Sequence, residues 1–199
     1  MNKPFEYDVY VVSDSIGVLS KAIDDGAWIV QLRDKSGDLQ SIKQKALELL
    51  KRKNEKEFIF ILNDDPELAL EVGADGVHVG QDEWPMAECR ALVGHDFIIG
   101  RSTHSIDQGL KAQDEGANYI SVGPVFATPT KPGRPAVGLD YIREAAARIR
   151  IPFVTIGGID RSNIDDVLTA GAKTIGIVRA ANQTAEILRT IRTYYNDYR

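Results

Sequence analysis

A short Gly-Ala pattern recurs four times along the chain, each time directly ahead of an apolar run. The four copies are Gly26-Ala27, Gly73-Ala74, Gly116-Ala117 and Gly171-Ala172. Glycine in this place is typical of a left-handed cap at the end of a helix, and the small alanine lets the next strand pack closely beneath it. The pattern therefore predicts helix-to-strand turns ahead of the second, fourth, sixth and eighth strands.

Apolar runs rich in Val and Ile alternate with amphipathic segments over the whole chain. The runs cover 9–12, 28–32, 58–62, 76–79, 97–99, 119–122, 153–156 and 174–178. Helical segments are predicted at 39–53, 66–72, 86–93, 106–115, 141–148 and 163–170. Because the runs are mostly continuous rather than alternating, they are typical of strands buried on both faces of a parallel sheet.

Eight strand–helix units in 199 residues predict an α/β fold, a single-domain (β/α)8 TIM barrel over residues 1–199. The alternative is a doubly wound sheet. It is disfavoured because no Gly-x-Gly-x-x-Gly follows the first run.

Composition limits the classes of partner. The net charge of −5 disfavours nonspecific binding to nucleic acid, yet it is compatible with a local basic pocket. No apolar run approaches membrane-spanning length, and the first residues lack the apolar region of a signal peptide. We therefore expect a cytoplasmic protein without nucleic-acid or membrane partners, while a homo-oligomer remains possible. The single cysteine, Cys89, is expected to be a small buried hydrophobe.

The active site of a barrel lies where its strands end. Gln31, Arg33 and Lys35 close the second run at a spacing of two, so an amide and two cations face one side. Arginine and lysine in this arrangement favour a bound phosphate. The alternative is that Arg33 and Lys35 pair with Asp34 and Asp38.

Carboxylates follow the third and fourth runs. Asp64 and Glu83, or Asp82 in place of Glu83, come from adjacent strand ends and are candidate Mg²⁺ ligands, because this ion prefers hard oxygen donors. The alternative is helix capping by Asp65 and a solvated Asp82-Glu83 pair.

Two further segments favour phosphate. The loop after the sixth run carries Thr128, Thr130 and Lys131, and its prolines oppose regular structure, so we predict an anion-binding lid; a solvated loop is the alternative. Gly158 and the turn after Val178 follow the seventh and eighth runs, and the loops after these two strands form a phosphate cup in many barrels. His78 is expected to be a satisfied core histidine, and His104 to contact a ligand or orient the lid.

Five motifs together resemble the thiamine-phosphate synthase family. They are QLRDK at 31–35, NDDPELAL at 63–70, ADGVHVGQDE at 74–83, GPVFATPTK at 123–131 and IGGI at 156–159. The resemblance implies a (β/α)8 barrel that uses Mg²⁺. It joins 4-amino-2-methyl-5-hydroxymethylpyrimidine diphosphate to 4-methyl-5-(2-hydroxyethyl)thiazole phosphate, through a step resembling a pyrimidine carbocation. The products are thiamine phosphate and pyrophosphate.

The resemblance also implies roles for individual residues. Those implied to hold the diphosphate are Gln31, Arg33, Lys35, Ser102 and Lys131, of which Arg33, Lys35, Ser102 and Lys131 are expected to be catalytic. Asn63 would lie near the pyrimidine and the diphosphate, and Asp64 and Glu83 would hold Mg²⁺. Those implied to hold the thiazole phosphate are Thr128, Thr130, Gly158, Val178 and Arg179.

Three positions depart from the family's usual residues. Glu83 stands where an Asp is usual, Arg179 where a Ser is usual, and Arg101 where a small residue is common, which puts substrate choice in question. One alternative is a TenI-like thiazole tautomerase, although that family carries a His near the end of the sixth strand, where this chain has Gly123-Pro124. The other is a phosphate-ligand-binding paralogue without turnover, for which Arg101 and Arg179 are the support.

Overall fold

Eight parallel strands form a closed barrel in chain order, with β8 pairing back to β1. The computed structural model describes residues 5–130, 133 and 135–197. The strands are β1 Asp8–Ser13, β2 Ile29–Leu32, β3 Ile59–Asn63, β4 Gly76–Val79, β5 Ile98–Thr103, β6 Tyr119–Val122, β7 Phe153–Ile156 and β8 Thr174–Ile177. The predicted barrel is therefore confirmed, and the doubly wound alternative is wrong.

Helices follow every strand and pack around the barrel. They are α1 Ile16–Asp24, α2 Leu39–Lys51, α3 Pro66–Val72, α4 Met86–Val93, α5 Ile106–Asp114, α6 Gly138–Arg148, α7 Ile164–Thr169 and α8 Thr184–Asp197, with single 3₁₀ turns at Arg52–Asn54 and Ala181–Gln183. Within the described ranges, no helix has both the length and the apolar character needed to cross a membrane.

The Gly-Ala turns have the predicted conformation. All four glycines adopt a positive φ, between 78° and 106°. At the first turn, the Gly26 amide donates to the Ile23 carbonyl at 3.1 Å and the Ala27 amide donates to the Ala22 carbonyl at 3.0 Å. The other three turns repeat this pair of bonds, which is the Schellman motif.

The strand β5 is longer than the sequence indicated, because its polar residues remain in the sheet. The run predicted at 97–99 extends to Thr103. Side chains alternate between the two faces of a strand, so Ser102 points into the barrel while Arg101 and Thr103 point outward. The outward pair finds partners: Thr103 Oγ1 donates to the Ser121 carbonyl at 2.8 Å and lies 2.5 Å from the Tyr141 hydroxyl.

Two hydrophobic layers position the site. An outer layer, which includes Cys89, fills the space between strands and helices. The inner layer fills the barrel towards the N-terminal ends of its strands, where the Phe5 ring stacks on Tyr119 with centroids 4.3 Å apart. The opposite end of the barrel therefore remains open for a cavity.

Candidate active site

A cavity of about 350 Å³ opens at the C-terminal ends of the strands. Apart from Lys131, which lies outside the described residues, and Asp82, the alternative to Glu83, the sequence-predicted site residues all line it. These are Gln31, Arg33, Lys35, Asn63, Asp64, Glu83, Ser102, Thr128, Thr130, Gly158, Val178 and Arg179. Residues from separate loops therefore converge on one place, as expected for a barrel.

Arg33 and Lys35, which follow β2, face this cavity rather than Asp34 and Asp38. Asp34 is instead bound by Lys45, whose Nζ lies 2.6 Å from Oδ2 and holds the pKa of the Asp34 carboxyl at about 2. Asp38 accepts a bond from the amide of Ser41 at the start of α2. Within the described part of the chain, the Arg33 guanidinium has no hydrogen bond or ion pair, so it is available to an anion.

Asp64 and Glu83 reach the cavity from the adjacent ends of β3 and β4. Asp64 has a φ of 66°, a left-handed conformation that is uncommon for a residue with a side chain. The next residue, Asp65, caps α3 by accepting from the Leu68 amide at 2.8 Å. Asp82 is not part of the lining, so the structure favours Glu83 as the second carboxylate.

These carboxylates suit Mg²⁺ in their chemistry, because both supply hard oxygen donors to one cavity. No cluster of three or more His, Cys, Asp and Glu side chains that could hold a metal occurs among the described residues. An ion held by this pair would therefore complete its coordination with ligand oxygens and water, as Mg²⁺ commonly does.

Arg101 lies outside the cavity, and an effect of this residue on substrate choice stays a prediction. Its guanidinium is buried and donates to the carbonyls of Trp84, at 2.5 Å, and Gln81, at 3.0 Å. These bonds hold both sides of the turn that carries Glu83. The side chain of Gln81 holds the same turn, because its Nε2 donates to the Ser102 carbonyl at 2.5 Å.

Hydrogen-bonded side chains cross the floor of the cavity from β2 to β5. Gln31 Nε2 donates to the Tyr10 hydroxyl at 2.6 Å, and that hydroxyl lies 2.8 Å from the Tyr119 hydroxyl. The Tyr119 hydroxyl lies 2.9 Å from His78 Nδ1, and His78 Nε2 lies 2.9 Å from Ser102 Oγ. His78 is thus buried and hydrogen-bonded, as predicted, but it also lines the cavity.

The loops after β7 and β8 line the cavity at the place where the sequence predicts a phosphate cup. Gly157 and Gly158 have φ values of 109° and 68°, and a Cβ at Gly157 would lie 2.5 Å from the Cα of Pro124. Glycine is therefore required here for both its conformation and the close approach of the β6 loop. A short 3₁₀ turn, Ala181–Gln183, follows β8, which is a common position for a phosphate site in barrels.

Arg179 lines the cup beside Asp160. Hydrogen bonds from Ser162, and then the charge of Arg179, hold the pKa of the Asp160 carboxyl below its ordinary value. Asp160 is thus ionised at neutral pH and offsets part of the arginine's charge.

The loop after β6, which the sequence predicts to be a lid, is held by hydrogen bonds at its start. His104 Nδ1 lies 2.5 Å from the Gly123 carbonyl, and the Val125 amide donates to the Ile156 carbonyl at 3.0 Å. Thr128 Oγ1 accepts from the Thr130 amide at 3.3 Å, and both residues line the cavity. His104 therefore contacts the backbone at the start of the lid, where it can orient this loop.

Comparison with known proteins identifies the family. Residues 8–181 match the family model described as thiamine monophosphate synthase. The chain belongs to this family. The thiamine-phosphate synthases of Gloeobacter violaceus and Shouchella clausii are 46% and 45% identical to it, each over 83% of the chain. Thiamine phosphate pyrophosphorylase from Pyrococcus furiosus superposes with a TM-score of 0.85 at 27% identity, covering 96% of this chain and 97% of that one.

The relatives differ in length from this member of the thiamine monophosphate synthase family. The chain spans about half of the Gloeobacter protein, 48%, and also about half of the Synechocystis thiamine-phosphate synthase, 49%. It spans 79% of the Shouchella protein.

Several cavity residues of this thiamine monophosphate synthase family member were not predicted from the sequence. They are chiefly Tyr10, Ser121, Asp160 and Gln183. Tyr10 lies in an otherwise apolar run, and its polar atom was the available signal, since a buried tyrosine hydroxyl usually has a partner. Asp160 follows the predicted Gly-Gly turn directly and could have been found by extending the cup to the next side chain.

Proposed function

We propose that the protein condenses 4-amino-2-methyl-5-hydroxymethylpyrimidine diphosphate with 4-methyl-5-(2-hydroxyethyl)thiazole phosphate. The products are thiamine phosphate and pyrophosphate. The observation that carries this proposal is the convergence of predicted cations, carboxylates and backbone cup on one cavity, in a chain that belongs to this family.

The reaction exchanges one bond for another. The C–O bond between the pyrimidine methylene and the diphosphate breaks, and pyrophosphate leaves with the electron pair. The thiazole nitrogen then supplies the pair that forms the new C–N bond to the carbocation-like methylene. No protein nucleophile is needed, so the protein's task is to stabilise departing charge and to keep water away.

The polar residues at the C-terminal ends of β2 and β5 suit the diphosphate. Arg33 and Lys35 bring positive charge to the cavity, and Ser102 brings a hydroxyl. Gln31 lines the cavity with them and would also hold the diphosphate, while Asn63 would lie near the pyrimidine and the diphosphate. Lys131, from the lid, is proposed to join them. Such donors favour the reaction because they bind the leaving group more strongly as its charge develops.

Asp64 and Glu83 would hold Mg²⁺. When bound, this ion supplies positive charge that offsets the charge of the diphosphate. The support is the meeting of two carboxylates from adjacent strand ends beside Arg33 and Lys35.

The cup suits the thiazole phosphate. Gly158 and the backbone around Val178 and Arg179 line one end of the cavity, and Thr128 and Thr130 lie on the lid beside it. Close backbone approach and hydroxyl donors are typical of phosphate sites.

A thiazole tautomerase is the second candidate, because one observation favours it. The imidazole of His104 reaches the Gly123 carbonyl at the end of β6, near the place where a tautomerase carries its histidine. The paralogue without turnover is less well supported than the sequence indicated, since Arg101 does not enter the cavity.

An end-point assay separates the three functions. The purified protein is mixed with both substrates and MgCl₂, and thiamine phosphate is detected as its fluorescent oxidation product. We expect product that disappears when the metal is chelated. Binding of both substrates without product at long times would establish the binding paralogue. Conversion of a thiazole phosphate tautomer without condensation would establish the tautomerase.

A further inference from the structure

Tyr119 lies at the middle of the hydrogen-bonded chain that crosses the barrel, which we call the floor chain: Gln31, Tyr10, Tyr119, His78 and Ser102. Tyr119 itself does not line the cavity, and its side chain is fully buried. Its hydroxyl links the half of the floor chain on β1 and β2 to the half on β4 and β5.

The protons of the floor chain can be followed in one direction. Gln31 donates to the Tyr10 hydroxyl, so Tyr10 can donate its own proton to Tyr119. Tyr119 then donates to His78 Nδ1, and His78 Nε2–H donates to Ser102 Oγ. Ser102 is left with its hydroxyl proton for the cavity that it lines.

The opposite direction is disfavoured. In the opposite direction, Ser102 would donate to His78 Nε2 and His78 Nδ1–H would donate to Tyr119. Tyr119 and Gln31 would then both donate to the Tyr10 hydroxyl. The Tyr10 proton would then have no acceptor among the described residues, because the hydroxyl's other contacts are with these two donors, and only the cavity that Tyr10 lines would be left to it. A buried donor that loses its protein partner is costly. Burial also raises the pKa of both tyrosines above the ordinary value, so each keeps the proton that the chain requires.

We propose that Tyr119 is a positioning residue that fixes His78 as the Nε2–H tautomer and thereby makes Ser102 a directed hydrogen-bond donor to an anion in the cavity. The anion would be the pyrophosphate group of the substrate, so this part rests on the proposed function. The tautomer does not depend on it.

The test combines a spectroscopic and a binding measurement. The chain has three histidines, so the ring nitrogens of His78 can be assigned by ¹⁵N NMR with a His78→Gln variant as reference. We expect the Nε2–H tautomer in the unmodified protein and a mixture in Tyr119→Phe, which keeps the ring stacked on Phe5. An Nδ1–H tautomer in the unmodified protein would overturn the proposal without any variant having to fold.

Binding of inorganic pyrophosphate in MgCl₂ tests the role of Ser102. We expect Tyr119→Phe to weaken binding by about tenfold, the scale of one hydrogen bond to a charged group. In a Ser102→Ala background the same change should have little further effect, because Tyr119 acts through Ser102. Additive losses in the two variants would overturn the positioning role.

Tyr141→Phe is the matched control, because it removes another buried tyrosine hydroxyl, which bonds Thr103 outside the cavity. It should lower thermal stability like Tyr119→Phe but leave pyrophosphate binding and the His78 tautomer unchanged. An equal loss of binding in Tyr141→Phe would show a general structural effect and overturn the proposal. If the unmodified protein bound no pyrophosphate, the anion role and the proposed function would both fail, while the NMR result would still decide the tautomer.

Discussion

Lys35 Nζ forms an ion pair with Asp64 Oδ2 across the mouth of the barrel. The pair joins a residue proposed to bind diphosphate to one proposed to bind Mg²⁺. The lysine side chain is 52% exposed, so the pair is weakly stabilising and can open when ligands arrive.

This pair predicts opposite effects of one substitution on two measurements. Lys35→Met should lower turnover, because a cation is lost from the diphosphate site. It should also strengthen binding of Mg²⁺ alone by roughly two- to fivefold, since Asp64 loses a competing cation. Calorimetry with MgCl₂ measures the second effect. Lys45→Met, which breaks the Lys45–Asp34 pair outside the cavity, is the control and should bind Mg²⁺ like the unmodified protein.

Arg33 should be needed for turnover and not for folding. Arg33→Ala removes a guanidinium that faces the cavity without a partner among the described residues. We expect turnover to fall by about 100-fold or more, the scale of one donor to developing charge, with an unchanged melting temperature. Arg143→Ala, on the exposed face of α6, should leave both unchanged. Near-normal turnover of Arg33→Ala would remove Arg33 from the site.

Arg101 should act through Glu83. Arg101→Met removes the bonds to the Trp84 and Gln81 carbonyls, and we expect the MgCl₂ concentration for half-maximal activity to rise roughly tenfold. Arg90→Met is the matched control, because Arg90 likewise holds backbone carbonyls, those of Gly94 and Phe97, at the other end of the barrel. Both variants should melt earlier. A similar rise for Arg90→Met would contradict a specific link to Glu83.

Arg179→Ser should be tolerated. Asp160 already offsets part of the arginine's charge, and the cup depends largely on backbone around Gly158. We expect the KM for thiazole phosphate to change less than about threefold, which is within the range for a partly compensated charge. Steady-state kinetics at saturating pyrimidine diphosphate measure this. A rise of tenfold or more would instead make Arg179 a phosphate ligand.

Asp8 should make stability depend on pH. Burial raises the pKa of this carboxyl from 3.8 to about 6, against the opposing effects of the Val9 and Trp28 amides and of Arg192. Between pH 3.8 and about 6, the folded state therefore binds more protons than the unfolded state. The free energy of unfolding consequently falls as pH rises from about 4 to about 6. The contribution is about 3 kcal/mol.

Urea unfolding at several pH values tests this. In Asp8→Asn, the free energy of unfolding should fall less steeply as pH rises from about 4 to about 6. The variant should therefore gain stability relative to the unmodified protein as pH rises towards 7. Identical slopes for the two proteins would show that Asp8 does not titrate in this range.

The sequence was sufficient to predict the barrel and many of the residues that line its cavity. The Gly26 and Gly73 turns recur at a regular place, and the bounds of Pro66–Val72 and Met86–Val93 are those predicted. Polar residues after apolar strands were also informative, because a barrel gathers all strand ends at one face. Cytoplasmic location and a homo-oligomer stay predictions.

Arg101 shows what a position in the sequence does not reveal. It lies beside Ser102, where the family commonly has a small residue, and for that reason it was expected to bear on substrate choice. Alternation along β5 turns it outward instead, towards carbonyls of the preceding loop. The strand was predicted to end at residue 99, so this alternation was not applied to it.

Contacts through the barrel were beyond sequence reasoning. The Tyr10 and Tyr119 hydroxyls meet although the residues are 109 positions apart. Their strands, β1 and β6, are not neighbours in the sheet. Neither periodicity nor a local motif reports a contact made across the interior of a closed sheet.

The four Gly-Ala turns all lie at the end of the barrel opposite the cavity, since each leads from a helix into the start of a strand. The turns thus divide the chain into quarters of two strands each. The turns between the quarters share one structure at one end of the barrel, while the loops at the cavity end differ from one another. A chimera in which the quarter between Gly73 and Gly116 comes from a relative should retain the barrel. It should acquire that relative's loops after β4 and β5 only. In this architecture new specificity can be acquired piecewise, without redesign of the scaffold.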